Sequence, residues 1–174
     1  MKYFVKFFVV TLILLICTHS SAEQKVLYVD MKFILNNSNA GKRAQDFLQK
    51  TFKDNQEKFS TEEKNLKKEE ENLLANKTNF TKEEYKQKTD QLRKKVINYQ
   101  SQRRKSLEKL TDQRKKAREK LLEKLEPILN NYIKENNISL VLDKKNVLGG
   151  KTNLDITNII IEKLNKEFPT LNLE

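Results

Sequence analysis

Cys17 and His19 are the only thiol and the only imidazole in the sequence. Thiol nucleophiles, disulfides, imidazole bases and Cys/His metal centres all depend on these two residues. Both follow the apolar run Phe7 to Ile16, which Lys2 and Lys6 precede and Ser20, Ser21 and Ala22 close. A basic start, a short apolar stretch and small residues form the layout of a cleaved secretory signal, and the run is shorter than the ~20 residues that span a bilayer. Residues 1–22 therefore read as a signal peptide, cleaved after Ala22. A retained N-terminal anchor and a lipoprotein attached through Cys17 are the alternatives. The second fits poorly, because Ile16 stands where a small residue is expected. Cleavage removes the only Cys and the only His together.

Three aspartates, Asp30, Asp143 and Asp155, lie beside the chain's candidate strands and could form an acid cluster. Capping of helix and turn amides explains at least Asp30 and Asp155. With no His or Cys nearby, neither catalysis nor a metal or other cofactor is expected. What remains is charge: 35 basic against 24 acidic residues, net +11, which points to acidic partners. Nucleic acid, lipopolysaccharide or an anionic lipid surface, and acidic protein clients all qualify, and export argues against nucleic acid.

The strongest charge pattern is Arg93-Lys94-Lys95, Arg103-Arg104-Lys105 and Arg114-Lys115-Lys116. Three helical turns take ~10.8 residues, so the clusters fall roughly along one line of a helix. They make either a basic inner face that attracts clients or lipopolysaccharide, or a solvated face partly neutralised by a neighbouring arm. Phe80, at a break between two helices, is either a client contact or a local plug.

The elements that position these residues follow from periodicity. Lys25 to Asp30 reads as a strand, and Asp30 caps a turn, Met31 to Leu35, which Asn36, Asn37, Ser38 and Asn39 break. From Ala40 to about Asn76 the chain reads as a helix with Phe52, Phe59, Leu66 and Leu73 at heptad spacing and polar Asn55, Glu62 and Glu69 between them. That leaves a thin apolar stripe. Thr81 and Glu84 carry a capping-box signature and open a second helix to about Glu135. Its seam is Leu92, Val96, Tyr99, Leu110, Ala117 and Leu121, with polar steps at Arg103, Ser106 and Gln113. Pro127 predicts a kink near its end. At ~1.5 Å per residue the arms reach ~55 and ~80 Å, too long for a globule of this size. The arms differ in charge: Lys53 to Glu71 holds 5 basic and 7 acidic residues, Lys82 to Lys124 holds 16 and 7. Antiparallel pairing sets them side by side.

Beyond the second helix, Ile138 to Asp143 reads as a strand and Asn146-Val147-Leu148 as another, with Lys144-Lys145 at hairpin spacing and Gly149-Gly150 after them. Asp155 caps a last helix with Ile156, Ile159, Ile160 and Leu164 on one face, closed by Pro169. Residues 23–39 and 137–174 then make one discontinuous β-rich body, and 40–136 a helical hairpin. Three strands and one helix form a marginal core, so assembly between copies is expected. Val26, Tyr28, Leu140, Leu142, Val147, Ile156, Ile159 and Ile160 are the residues expected to build that oligomeric body.

The order Val29-Asp30-Met31-Lys32-Phe33-Ile34-Leu35-Asn36-Asn37-Ser38, then Gly41-Lys42, a long polar hairpin, Leu140-Val141-Leu142-Asp143, Asn146-Val147-Leu148 and Asp155-Ile156-Thr157 resembles the Skp (OmpH-like) family of periplasmic chaperones. The resemblance covers the mature chain, and its terminal pieces carry the specificity. It implies an α+β fold in which a long antiparallel helical hairpin, or tentacle, is attached to a small body formed by the N- and C-terminal strands. It also implies a homotrimer, and an ATP-independent holdase that binds unfolded outer-membrane proteins in the periplasm and prevents their aggregation. One departure is Leu148-Gly149-Gly150, where the family usually has an aromatic residue. An envelope coiled-coil adaptor or spacer is the alternative, a nucleic-acid binder a further rival, and an enzyme is not expected.

Overall fold

The computed structural model describes residues 24–173; the segment read as a signal peptide, with Cys17 and His19, lies outside them. The chain runs β1 (Val26–Val29), α1 (Met31–Asn37), α2 (Asn39–Ala75), α3 (Lys82–Glu135), β2 (Leu140–Asp143) and α4 (Thr157–Glu167). Short 3-10 turns at Lys77–Asn79, Lys144–Asn146 and Thr152–Leu154 complete it. The α2 and α3 helices, 37 and 54 residues long, pack against each other as the hairpin, and everything else gathers at its open end.

Local chemistry sets each boundary. The Phe33 amide donates to Asp30 Oδ1 at 2.8 Å, the expected cap of α1. Ser38, fully buried, ends α1 and starts α2, its hydroxyl accepting from the Gly41 amide at 3.1 Å. A Cβ at Gly41 would stand 2.0 Å from the Leu35 carbonyl oxygen, so the close approach of α1 and α2 requires glycine there. The Thr81 box forms as expected, with the Glu84 amide donating to Thr81 Oγ1 at 3.2 Å and the Thr81 amide to Glu84 Oε2 at 2.9 Å. The α3 helix continues through Pro127, where the missing N–H leaves the Glu123 carbonyl without its helical donor. It ends in a Schellman cap: Asn137 takes φ 49°, and Ile138 N–H reaches Ile133 O at 3.0 Å.

The sheet has two parallel strands, paired Val26 to Leu140, Leu27 to Val141, Tyr28 to Leu142 and Val29 to Asp143. The third strand expected at Asn146-Val147-Leu148 does not form. Asp143 Oδ1 accepts from the Lys145 amide at 3.2 Å, curling 144–146 into a 3-10 turn, and Leu148 is left fully exposed. The other side of β1 instead meets Asp155 in an isolated bridge, with Ile156 N–H on Tyr28 O at 3.0 Å. Leu27, Val29, Ile34, Leu125, Ile128, Ile138, Ile156, Ile160 and Leu164 form the core. The α3 helix thus sinks its last turns into the body, α2 starts beside it, and farther out the arms have only each other.

Candidate functional site

Sequence alternation splits the sheet into two faces. Leu27 and Val29 point into the core. Their neighbours Val26 and Tyr28, with Leu140 and Leu142 level with them on β2, share the opposite face. Val26, Leu140 and Leu142 stay substantially exposed there, and Tyr28 is half-buried, its hydroxyl donating to the Lys151 carbonyl at 3.3 Å. Of the other residues expected in an oligomeric body, Ile156 and Ile160 lie inside the core, Val147 is half-buried in the loop after β2, and Ile159 is exposed. The expected set therefore divides into core and open surface.

One polar cluster locks this end together. Thr157, almost fully buried, accepts from the Asp30 amide at 2.8 Å, and its own amide donates to Asp155 Oδ1 at 3.0 Å. Asp155 stands one residue ahead of the cap position of α4, Ile156, and also takes Lys144 Nζ at 2.8 Å. Burial works against the charge of Asp155, but the bonds from Lys144 and Thr157 outweigh it and hold its carboxyl below the usual carboxylate range. The bond to Asp155 raises Lys144. These partners make the cluster a structural latch. Among the described residues no group of acids, His or Cys is arranged to hold a metal ion.

Along the arms the seam is sparse. Phe59 and Tyr99 meet edge-on, ring centres 6.0 Å apart, and the Tyr99 hydroxyl donates to Glu63 Oε2 at 3.1 Å. Burial, then Glu63, pushes the Tyr99 hydroxyl above its ordinary value. Phe52, expected in the seam, is instead about half exposed. Phe80 is half-buried at the tip, with Lys88 Nζ 5.1 Å from its ring centre.

The basic clusters mostly find partners on their own helix. Arg93 pairs with Asp90 (3.9 Å), Arg104 with Glu108 (3.7 Å), Lys115 with Glu119 (3.9 Å) and Lys116 with Asp112 (2.8 Å); Asp112 raises Lys116. Lys95 alone crosses to the other arm, reaching Glu69 at 2.6 Å. Among the described residues the opposite charge of the arms is thus realised as a single ion pair between them. Arg103 sits beside the Tyr99 hydroxyl. Among the described residues Lys94, Lys105 and Arg114 make no ion pair. Lys94 lies two residues, or ~200°, beyond the seam position Leu92 and faces away from α2; Lys105 follows eleven residues on, and Lys116, eleven further, lies beside the buried Ala117 and the C-terminal segment.

The arms also carry apolar side chains that the heptad reading passed over: Leu74, Ile97 and Leu107, each at least half exposed. Their signal was in the sequence, as large apolar residues out of phase with the seam. A second omission is the C-terminal segment, where Leu171 is buried against the arms.

A family model described as outer membrane protein (OmpH-like) matches residues 25–164. A crystal structure of an OmpH-like candidate outer membrane chaperone from Caulobacter crescentus CB15 superposes with a TM-score of 0.80 at 21% identity, over 89% of this chain and 92% of that one. No curated protein matches.

Proposed function

The chain belongs to the OmpH-like outer membrane protein family, and from that premise we propose that it is an ATP-independent periplasmic holdase that keeps unfolded outer-membrane proteins from aggregating. The observation that carries this reading is the surface of the arms. Phe52 and Leu74 on α2 and Ile97 and Leu107 on α3 are exposed, α3 also carries Lys94, Lys105 and Arg114, which make no ion pair among the described residues, and the two helices have no globular cover. An unfolded chain offers both apolar and acidic segments. Many weak contacts of both kinds retain it through effective concentration, and each releases easily. The basic side chains of α3, Lys94 and Lys105 among them, suit lipopolysaccharide or an anionic lipid surface as a second partner.

The body supports self-assembly. A two-stranded sheet is marginal alone, one edge of β2 is unpaired, and Val26, Leu140 and Leu142 present an apolar sheet face to solvent. A homotrimer, as the family resemblance implies, covers that face and points three hairpins outward around a cavity. Holding is a binding activity, and Asp30 and Asp155 serve it as a helix cap and as part of the latch.

The test dilutes a urea-denatured outer-membrane β-barrel protein with and without the chain from Glu23 to Glu174, and measures mass on the same sample. Suppressed aggregation at about one trimer per client is the expected result. If the barrel protein precipitates unchanged beside a folded, oligomeric chain, the holdase reading is wrong and the envelope adaptor takes its place.

A further inference from the structure

At the root of the hairpin three alanines and one leucine make up the arms' share of a buried cluster. Ala40 and Ala44 on α2 face Ala117 and Leu121 on α3, all four buried. Alanines at a helix–helix contact would ordinarily let the backbones close up. Here the space is filled by the chain's own C-terminal segment. Past α4 the residues from Phe168 to Leu173 have no regular structure, and Leu171, 8% exposed, inserts among the alanines with Leu173 packed against the same cluster.

The contacts to this segment are those that read an extended backbone. Leu171 and Leu173 are spaced two apart, the period at which a strand presents side chains to one surface. The Gln113 side-chain amide donates to the Leu173 carbonyl at 3.1 Å, a contact that any residue type can satisfy. Its other end, Oε1, is buried and has no hydrogen-bond partner among the described residues. An amide that offers one donor and one acceptor can pair with both a carbonyl and an N–H of a passing strand, and the tail uses only the donor. A shallow cavity of about 390 Å³ continues along the tail, walled by Lys116, Glu119, Lys120 and Glu123 of α3. The tail is thus an incomplete occupant of its groove.

We infer that this groove is a binding site for extended polypeptide with apolar side chains at alternate positions, closed in cis by the C-terminal segment and opened when a client strand displaces it. Strands destined for a membrane barrel have this alternation. The assignment rests on the holdase reading for the identity of the client, while the groove itself rests on the packing of residues 168–173. A tethered tail competes at an effective concentration of order millimolar. The groove therefore accepts segments that the arms have already concentrated and ignores dilute ones.

The test compares the chain from Glu23 to Glu174 with one that ends at Phe168 and with the full-length Leu171→Asp variant, which keeps the tail but removes its anchor. With alanine methyls labelled, a synthetic peptide of residues 167–174 is titrated in. The expected result is that the Ala40, Ala44 and Ala117 signals of the truncated and Leu171→Asp chains shift and saturate at peptide concentrations well below the millimolar effective concentration of the tethered tail. The full-length chain shifts far less, and a peptide carrying Leu171→Asp leaves all three signals in place. In parallel, a labelled unfolded barrel protein is expected to bind the two released chains several-fold more tightly. Folded variants whose methyl signals do not respond overturn the groove. A responding groove with unchanged client affinity overturns the client assignment. If no chain holds the barrel protein, the holdase reading fails while the peptide titration still decides the groove.

Discussion

Phe59→Ala tests whether the arms are energetically separate from the body. Phe59 is 8% exposed and meets Tyr99 across the seam. Truncating a phenylalanine in a closed core costs about 3–5 kcal/mol, with the lower values where the site can relax. Here the neighbours are one helix and solvent, so about 2 kcal/mol is the working figure, which is roughly a 30-fold rise in the opening equilibrium. Toward the root, the seam residues next to this pair are polar and half-buried: Thr51 and Asn55 on α2, Ser106 on α3. The loss should stop at that polar stretch. Native-state hydrogen exchange measures it: amides from about 56 to 103 should lose protection by roughly 30-fold, while those of Leu27, Val29 and Ile160 keep theirs. Equal loss in the body would refute the reasoning, because it would mean that the arms and the sheet open as one unit. Adding Tyr99→Ala to Phe59→Ala should show a coupling of about 0.5–1.5 kcal/mol, the usual worth of an edge-on aromatic pair.

Two further outcomes follow from the root and the latch. Gly41→Ala places a Cβ 2.0 Å from the Leu35 carbonyl, between backbones that cannot yield. The expected cost is at the upper end for overpacking, about 3 kcal/mol, read as a lower thermal midpoint with the helical signal retained at low temperature. Asp155 is held below its ordinary value of about 3.9 by Lys144 and Thr157 despite partial burial. Its stabilisation is therefore full above that value and is lost as pH falls through the folded one. Asp155→Asn should flatten the acid limb of a stability–pH profile below about pH 4, and an unchanged limb would show that the latch is not electrostatic.

Local signals in the sequence located most boundaries because the responsible chemistry is local. The Asp30 cap and the Thr81–Glu84 box each involve residues three apart, and both form. The errors arose where a local signal competed with a longer one. Val147 and Leu148 have strand-like side chains, but the Asp143 side chain captures the Lys145 amide and turns the chain first. Phe52 continues the heptad of Phe59, Leu66 and Leu73. Yet the α2 seam takes two successive four-residue steps, 51 to 55 to 59, which rotates it off a strict seven-residue repeat and leaves Phe52 outside. The tail groove was not legible at all, since three alanines and a leucine on separate helices signal nothing until the arms bring them together. Nor was the pairing of charge: composition gave opposite arms, but side chains of α3 reach acids one turn away more easily than acids across the seam, and only Lys95 crosses.

The parallel pairing of β1 and β2 bears on how such arms can move. Parallel neighbours need a crossover between them, and in this chain the whole hairpin is that crossover. Any displacement at the roots of α2 and α3 would pull the two strands out of register. The root is accordingly fixed three times over. The Asn39 amide donates to Asn165 Oδ1 at 2.7 Å, Leu125 and Ile128 of α3 lie in the core of the body, and the C-terminal segment fills the space between the arms. None of these ties reaches beyond the polar stretch at Thr51 and Ser106. Under the proposed holding function it is therefore the outer arms that part around a bulky occupant, because beyond that stretch the arms have no tie to the body through which the strand pair would be disturbed.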